Sequence, residues 1–291
     1  MMPANLSDVN RPQRPSSTNP ASPTALSPAN TADAVDCHFH VFRAGVSARA
    51  DVRYVPAYDA TLADWQRRAA QHALGRGVIV QTSFLGTDNS DLLAALAASP
   101  CRLRGVAALA PSTPATLIAE LDAQGVRGIR FNLAGRTDLP DDAHRRLIER
   151  IAEAGWHVEL HTDPGGLAPV LASMPAEVTV VVDHFGRPAG DDDLATWHAI
   201  EREAARLYVK LSAPYRLNGQ NPAPLARRWR DLLGPDRLLW GSDWPCTNHE
   251  SQATTAHRWT TLHDWLDDAD VVRRVMVDNP ERLYRFDAAR P

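Results

Sequence analysis

Short apolar runs and amphipathic stretches alternate along the chain from residue 33 onward. The apolar runs are six to nine residues long and rich in Val, Leu and Ile. Runs of this length and composition are typical of strands that are buried on both faces of a parallel sheet. The pattern predicts eight strands, over residues 34–42, 77–84, 103–109, 126–133, 156–162, 178–185, 207–212 and 238–245.

Helix-like segments separate most of these strands. In residues 139–155, Leu147, Ile148 and Ile151 form one apolar stripe beside charged residues, and residues 88–99 repeat the arrangement. Strands that alternate with helices form parallel sheets, and eight such units in about 260 residues match a closed barrel. An open doubly wound sheet would show a Gly-rich first turn, which "HFHVFRAG" lacks. The sequence therefore predicts an α/β fold, a single-domain (β/α)₈ barrel of the TIM type.

The first 32 residues differ in composition from the rest of the chain. They are rich in Pro, Ser, Asn and Ala and contain few large apolar residues. Such a segment cannot bury enough surface to offset its ordering entropy, so we expect a disordered tail at residues 1–32 and the barrel at 33–291. The tail has no continuous apolar centre of the kind found in signal peptides.

Charge and cysteine content narrow the class of partner. The net charge of -4 is mild and no run of like charge stands out, which argues against nucleic acid or an anionic membrane as partner. No apolar stretch approaches the roughly 20 residues that span a bilayer. The spacing of the three cysteines suggests neither a disulfide framework nor a zinc finger. We therefore expect a cytoplasmic protein that acts on a small molecule.

Polar residues concentrate where the predicted strands end. In barrels of this type the catalytic groups lie at the carboxyl ends of the strands and in the loops that follow. Most other strand positions in this chain are Val, Ile, Leu, Ala or Gly. The candidate site residues are His38, His40, Ser83, Arg130, Arg136, His161, His184, Arg187, Arg216 and Asp243.

Strict alternation along the strands predicts which side chains share a face. His38 and His40 are two residues apart and should point the same way, whereas Cys37 should face away from them. On strand six the same rule groups His184 with Val182.

The presence of a histidine is by itself weak evidence for a catalytic site, because a lone histidine is more often structural than catalytic. The pair on strand one, joined by a histidine after strand six and an aspartate after strand eight, favours a functional site. His157 is expected in the core, and the other histidines are expected to face solvent, namely His72, His144, His198, His249, His257 and His263.

Four arginines are expected at the mouth of the barrel of an acidic protein. Arg130 alternates with Ile129 and Phe131, so its side chain should point inward. A buried guanidinium without a partner costs several kcal/mol, so an anion must meet it. Glu159 or Asp163 could serve one arginine, but a small dianion held by bidentate pairs accounts better for all four.

Four ordered motifs carry a family resemblance. The segments "DCHFH", "VELHTD", "VVVDHFGRP" and "LLWGSDWP" resemble the signature of the amidohydrolase superfamily, in its amidohydrolase 2 branch. Within that branch, "VIVQTSFLGTDN", "GIRFNLAGR", "DHFGRP" and "GSDWP" are similar to the 2-pyrone-4,6-dicarboxylate lactonases and related lactone hydrolases. The resemblance covers residues 33–286. It implies a distorted (β/α)₈ barrel that hydrolyses an activated carbonyl, without a metal in the pyrone-dicarboxylate lactonases.

The resemblance also implies roles for the candidate residues. Asp243 takes the place of the general base, and His38, His40 and His184 surround the reacting carbonyl. His161 stands where those lactonases have a tyrosine, at a position that binds metal elsewhere in the superfamily. The residues left to hold substrate carboxylates are Arg130, Arg136, Arg187 and Arg216, with Ser83 as a further hydrogen-bond donor.

The candidate residues are compatible with two kinds of active site, one with a metal ion and one without. In the first, one Zn²⁺ with an open position for water is held by Asp243 and by histidines drawn from His38, His40, His161 and His184. In the second, no cofactor binds and the arginines supply the electrostatic pull. We expect the second, because a lactone flanked by carboxylates is already activated.

The sequence thus predicts a hydrolase that opens a carboxylated lactone, most like 2-pyrone-4,6-dicarboxylate, in aromatic-compound catabolism. Direct attack by water is favoured over a serine nucleophile because "WGSDWP" lacks the second Gly of a G-x-S-x-G elbow. The alternatives are a zinc-dependent lactonase for a sulfonated muconolactone or a sugar-acid lactone, a metal-dependent decarboxylase of aromatic acids, and an anion-binding barrel without activity.

Overall fold

The protein was analysed as a computed structural model that describes residues 33–46, 52, 54–99, 102–135, 140–190, 192–252 and 259–286. The predicted tail at 1–32 and the candidate Arg136 lie outside the described residues. Eight parallel strands pair in chain order to form a barrel, as predicted. They are β1 Val35–Phe39, β2 Arg76–Val80, β3 Leu103–Ala107, β4 Val126–Asn132, β5 His157–His161, β6 Thr179–Val182, β7 Leu207–Ser212 and β8 Leu238–Gly241.

Helices surround the barrel, and their apolar faces pack on the outer side of the sheet. In the fourth of them Leu147, Ile148 and Ile151 are buried, as predicted, and Asp141 caps the start by accepting a hydrogen bond from the amide of His144. The described helices are α1 Leu62–Gln71, α2 Ser90–Ala98, α3 Ala115–Ala123, α4 Asp142–Glu153, α5 Leu167–Ser173, α6 Leu194–Glu203, α7 Pro222–Leu233, α8 Thr261–Leu266, α9 Ala269–Arg273 and α10 Asn279–Tyr284.

Two backbone hydrogen bonds join the first strand to the segment after the last. The amide of Asp243 donates to the carbonyl of His38 at 2.8 Å, and the amide of His40 donates to the carbonyl of Trp244, also at 2.8 Å. These bonds bring the first and the last strand of the barrel side by side. This junction positions Asp243 directly beside the paired histidines.

Strands six and eight end earlier than the sequence predicts. β6 ends at Val182, and His184 and Phe185 that follow have φ values of 53° and 57°. β8 ends at Gly241, and Asp243 has a φ of 53°. Residues other than glycine adopt this left-handed region at a conformational cost, which functional sites often carry. The candidate His184 and Asp243 therefore lie in sharp turns at the barrel rim rather than within strands.

The prediction that Cys37 faces away from the histidines is wrong. The pairing of β1 with β2 shifts register between Asp36 and Phe39, and such an irregularity breaks strict alternation. Cys37 packs among apolar side chains inside the barrel, whereas Phe39 stacks on Trp65 of α1 outside it, with ring centroids 4.0 Å apart. Because of the shift, Cys37 and His38 both face the interior.

The predicted grouping of His184 with Val182 is also wrong. Val180 and Val182 belong to the apolar layer between the sheet and the helices, and Val181 lies inside the barrel. The left-handed turn at His184 then reverses the side-chain direction, so that His184 also points inward. Period-two reasoning does not hold beyond the last residue of a strand.

Candidate active site

Asp243 lies at the centre of a group of imidazoles at the carboxyl end of the barrel. Its Oδ1 is 3.4 Å from Nε2 of His38, 3.4 Å from Nε2 of His40 and 4.0 Å from Nε2 of His184. All four side chains are buried. The structure therefore brings together the four residues for which the sequence predicted a catalytic role.

The second oxygen of Asp243 is held by two neighbouring residues of the loop after β7. Oδ2 accepts a hydrogen bond from the Tyr215 hydroxyl and another from Nε of Arg216 at 3.1 Å. Burial by itself raises the pKa of Asp243, but the charge of Arg216 and the nearby imidazoles outweigh burial and hold this pKa well below its usual range. Sequence reasoning missed Tyr215, although it directly precedes the candidate Arg216 in "APYR".

Three imidazoles of the site have a lowered pKa and are neutral at pH 7. Burial, followed by the charge of Lys210, lowers the pKa of His38 to about 4. Burial also lowers the pKa of His184 and of His161 well below the usual range. Nδ1 of His40 lies 2.7 Å from the carbonyl of Val80, which can only accept, so Nδ1 carries a proton.

A layer of buried charges lies under the site, inside the barrel. The Lys210 ammonium is 2.6 Å from Oε1 of Glu159, 3.5 Å from Oδ1 of Asp183 and 3.2 Å from Nδ1 of His38. Lys210, Glu159 and Asp183 have fully buried side chains. Sequence reasoning missed Lys210 and Asp183. The signal for Lys210 was a lone charge within the apolar strand "LYVKLS", on the same face as Ser212.

The three described arginines of the candidate set each contact protein acceptors. Nε of Arg130 donates to Oδ2 of Asp183 at 2.9 Å, so the inward direction predicted for Arg130 is confirmed. Its partner is an internal carboxylate, although a different one from those we considered. Arg216 contacts Asp243, and Nη1 of Arg187 donates to the carbonyl of Thr162 at 3.0 Å. The prediction that these arginines require an external anion is therefore wrong for Arg130 and Arg216.

His161 lies between two of these guanidinium groups. Its Nδ1 is 3.3 Å from Nη2 of Arg130, and its Nε2 is 3.4 Å from Nη1 of Arg187. Its ring centroid is 4.9 Å from that of His184. A neutral imidazole accepts at one nitrogen only, so His161 can accept a hydrogen bond from one of these two guanidinium groups.

A cavity of about 210 Å³ opens above this floor. His249, predicted to face solvent, instead lines the cavity and lies with its ring 4.8 Å from that of Tyr215. Ser83, Arg130 and Asn132 also border an adjoining cavity of about 340 Å³. The candidate residues that line the first cavity are His40, Ser83, Arg130, His161, His184, Arg187, Arg216 and Asp243.

The donor atoms around Asp243 include a set that could hold a metal ion. Ligand atoms of His38, His184 and Asp243 lie within 4.8 Å of one another, and these residue types suit Zn²⁺. A histidine that binds a metal normally donates its other ring N–H to a carbonyl or carboxylate. His40 has that arrangement, and Nδ1 of His38 lies 3.2 Å from the Lys210 ammonium and 3.3 Å from Oδ1 of Asp183. His38 therefore fits a metal only as the tautomer in which Nδ1–H donates to Asp183.

Comparison with known proteins agrees with the fold and the motifs. The amidohydrolase 2 family model matches residues 35–286, and the chain belongs to this family. A 2-pyrone-4,6-dicarboxylate hydrolase of Comamonas testosteroni is 33% identical over 293 residues, which cover 91% of this chain and 93% of the relative. A 4-sulfomuconolactone hydrolase of Rhizobium radiobacter is 30% identical over 270 residues, covering 86% and 89% of the two chains.

A solved structure extends the comparison. A probable 2-pyrone-4,6-dicarboxylic acid hydrolase of Acinetobacter baumannii, with citric acid bound, superposes with a TM-score of 0.78 at 30% identity, over 87% of this chain and 99% of that one. Similarity to lactone hydrolases at this level shows that the chain is an enzyme of the lactone-hydrolase type. Within the described residues no helix is both long and apolar enough to cross a membrane.

Proposed function

We propose that this enzyme opens a small lactone that carries carboxylate groups, most like 2-pyrone-4,6-dicarboxylate, by direct attack of water. The observation that carries the proposal is the position of Oδ1 of Asp243 among three imidazoles on the floor of a cavity that also contains three arginines. The relatives that act on 2-pyrone-4,6-dicarboxylate and on 4-sulfomuconolactone support an anionic lactone as substrate.

Substrate binding falls to the guanidinium groups on the cavity wall. Arg130 and Arg216 use only part of their five N–H donors on Asp183 and Asp243, so the remaining donors can bind a carboxylate. Arg187 also lines the cavity, where its Nη1 donates to the carbonyl of Thr162. Ser83 adds a hydroxyl at the rim.

The proton path starts at Asp243. Its low pKa keeps the carboxylate ionised in the neutral range, and Oδ1 faces the cavity where an attacking water would lie. As the water oxygen bonds to the lactone carbonyl, its proton passes to Oδ1 of Asp243. The ring C–O bond then breaks, and the same proton passes to the departing ring oxygen.

The oxyanion that forms on the carbonyl needs hydrogen-bond donors. N–H groups aimed at a developing negative charge are the usual source of such stabilisation. His38 Nε2 is buried, accepts and donates no hydrogen bond among the described residues, and lies beside Asp243. We assign His38 as the donor to the oxyanion. No step of this proposal requires a metal.

The test is a small panel of lactones, followed by the loss of ultraviolet absorbance as the conjugated ring opens. We expect turnover of 2-pyrone-4,6-dicarboxylate and none of its uncharged dimethyl ester. A sulfonated muconolactone belongs in the panel because a relative at 30% identity acts on one. Hydrolysis of uncharged or sugar-acid lactones alone would contradict a dianionic substrate, and release of CO₂ would indicate a decarboxylase.

A further inference from the structure

Lys210 is the cation of the buried layer that contacts the imidazole of His38. It lies on β7, and its side chain is fully buried. Its ammonium is 2.6 Å from Oε1 of Glu159 and 3.2 Å from Nδ1 of His38. Glu159 compensates the buried charge, and His38 is thereby placed next to a fixed cation.

The direction of the hydrogen bond between Lys210 and His38 follows from the chemistry of the two groups. An ammonium has three donors and no acceptor, so a hydrogen bond between these two groups requires Nδ1 of His38 to accept. A neutral imidazole has one N–H, which then resides on Nε2. This N–H lies 3.4 Å from Oδ1 of Asp243, a residue that lines the cavity.

A competing acceptor for Nδ1 is close by. Oδ1 of Asp183 lies 3.3 Å from the same Nδ1, close enough to accept a proton from it. If Asp183 accepted a proton from Nδ1, the lone pair of His38 would move to Nε2, and the ring would become a metal ligand of the common carboxylate-supported type. The tautomer of His38 therefore depends on whether Nδ1 accepts from Lys210 or donates to Asp183.

We propose that Lys210 is a positioning residue that fixes His38 as the Nε2–H tautomer, so that the site presents a hydrogen-bond donor beside Asp243 instead of a metal ligand. The ammonium also adds a positive charge under the group of donor atoms that a divalent cation would need. The inference deepens the proposed function, since it explains how His38 can serve an oxyanion. Its test measures the tautomer of the His38 ring directly and does not depend on which lactone the enzyme hydrolyses.

The first measurement is the tautomer of His38 by NMR of protein labelled with ¹⁵N-histidine. The signals of His38 are identified by their loss in His38→Gln. In the wild type we expect Nδ1 to have the chemical shift of an unprotonated nitrogen and Nε2 that of an N–H. The opposite assignment in the wild type would overturn the proposal without any variant.

The second measurement uses Lys210→Met, which removes the donor and keeps an unbranched apolar chain. We expect the proton of His38 to move to Nδ1, and the affinity for Zn²⁺ in equilibrium dialysis to rise at least tenfold. If Lys210→Met does not fold, Lys210→Met combined with Glu159→Gln removes one charge of each sign and serves in its place. An unchanged tautomer and an unchanged zinc affinity in the folded variant would overturn the proposal.

The matched control is Glu159→Gln. It disturbs the same buried layer but leaves the ammonium 3.2 Å from Nδ1 of His38. We expect the wild-type tautomer and the wild-type zinc affinity. A merely structural role for the layer predicts that Glu159→Gln and Lys210→Met behave alike. The tautomer of His38 and the zinc affinity can be measured even if the enzyme turns over none of the lactones in the panel. A failure of the proposed function can therefore be told apart from a failure of the role proposed for Lys210.

Discussion

Nε2 of His38 lies 3.4 Å from Oδ1 of Asp243, and the hydrogen bond from the Asp243 amide to the His38 carbonyl holds the two residues in place. The same bond helps to join the first strand of the barrel to the segment after the last. The contacts that close the barrel therefore also hold His38 and Asp243 together in the site. A change that loosens this junction should lower stability and activity together.

Asp243→Asn should lower kcat by about a thousandfold, because an amide cannot take the proton of the attacking water. Binding of the dianionic lactone should change little, since the arginines remain. Steady-state kinetics and a direct binding titration measure the two effects. Asp141→Asn at the cap of α4 is the control and should leave kcat unchanged, because Asn caps helices as well as Asp does. A variant of Asp243 that keeps more than a tenth of the wild-type kcat would end its assignment as base.

Tyr215→Phe removes only the hydroxyl that donates to Oδ2 of Asp243. We expect kcat to fall about tenfold with little change in KM, because a hydrogen bond to a charged group contributes about 1.5–3 kcal/mol. Tyr208→Phe is the matched control, since its ring packs in the apolar cluster inside the barrel. Equal losses of kcat in the two variants would show that Tyr215 does not act through Asp243.

Arg187 and Arg130 should respond differently to the same substitution. Arg187→Gln should raise KM by about tenfold or more, because it removes a charge-assisted bond to the substrate, and should change the free energy of unfolding little. Arg130→Gln should lower the free energy of unfolding by about 3 kcal/mol, because it deprives the buried carboxylate of Asp183 of its partner. Denaturant unfolding and kinetics on both variants test the contrast, and the reverse pattern would contradict it.

The stability of the fold should decrease as the pH falls from about 6.5 toward 4. The pKa of His38 is lowered from 6.5 to about 4 in the folded state, so the unfolded chain binds this proton first. The contribution of His38 is complete above pH 6.5 and is lost as the pH falls toward 4, by about 3 kcal/mol. Denaturant titrations at several pH values measure the slope, which should be smaller in His38→Gln than in the wild type.

The local pattern of the sequence predicted the elements better than the directions of the side chains at their ends. The inward direction of Arg130 held because it lies within a regular strand, between Ile129 and Phe131. The directions of Cys37 and His184 did not hold, because a register shift in β1 and a left-handed turn after β6 change the alternation. Such irregularities depend on how strands meet their neighbours, which local sequence does not encode.

The sequence by itself determined the eight strands, their alternation with helices and the set of polar residues at one rim, because hydrophobic periodicity and chain order are local properties. It also carried the motifs of the amidohydrolase 2 family. Only the tertiary structure decided which charges neutralise one another. Arg130 with Asp183, Lys210 with Glu159, and Arg216 with Asp243 are pairs from different strands and loops. Burial makes each partner obligatory, but only the closed barrel determines which partner is within reach.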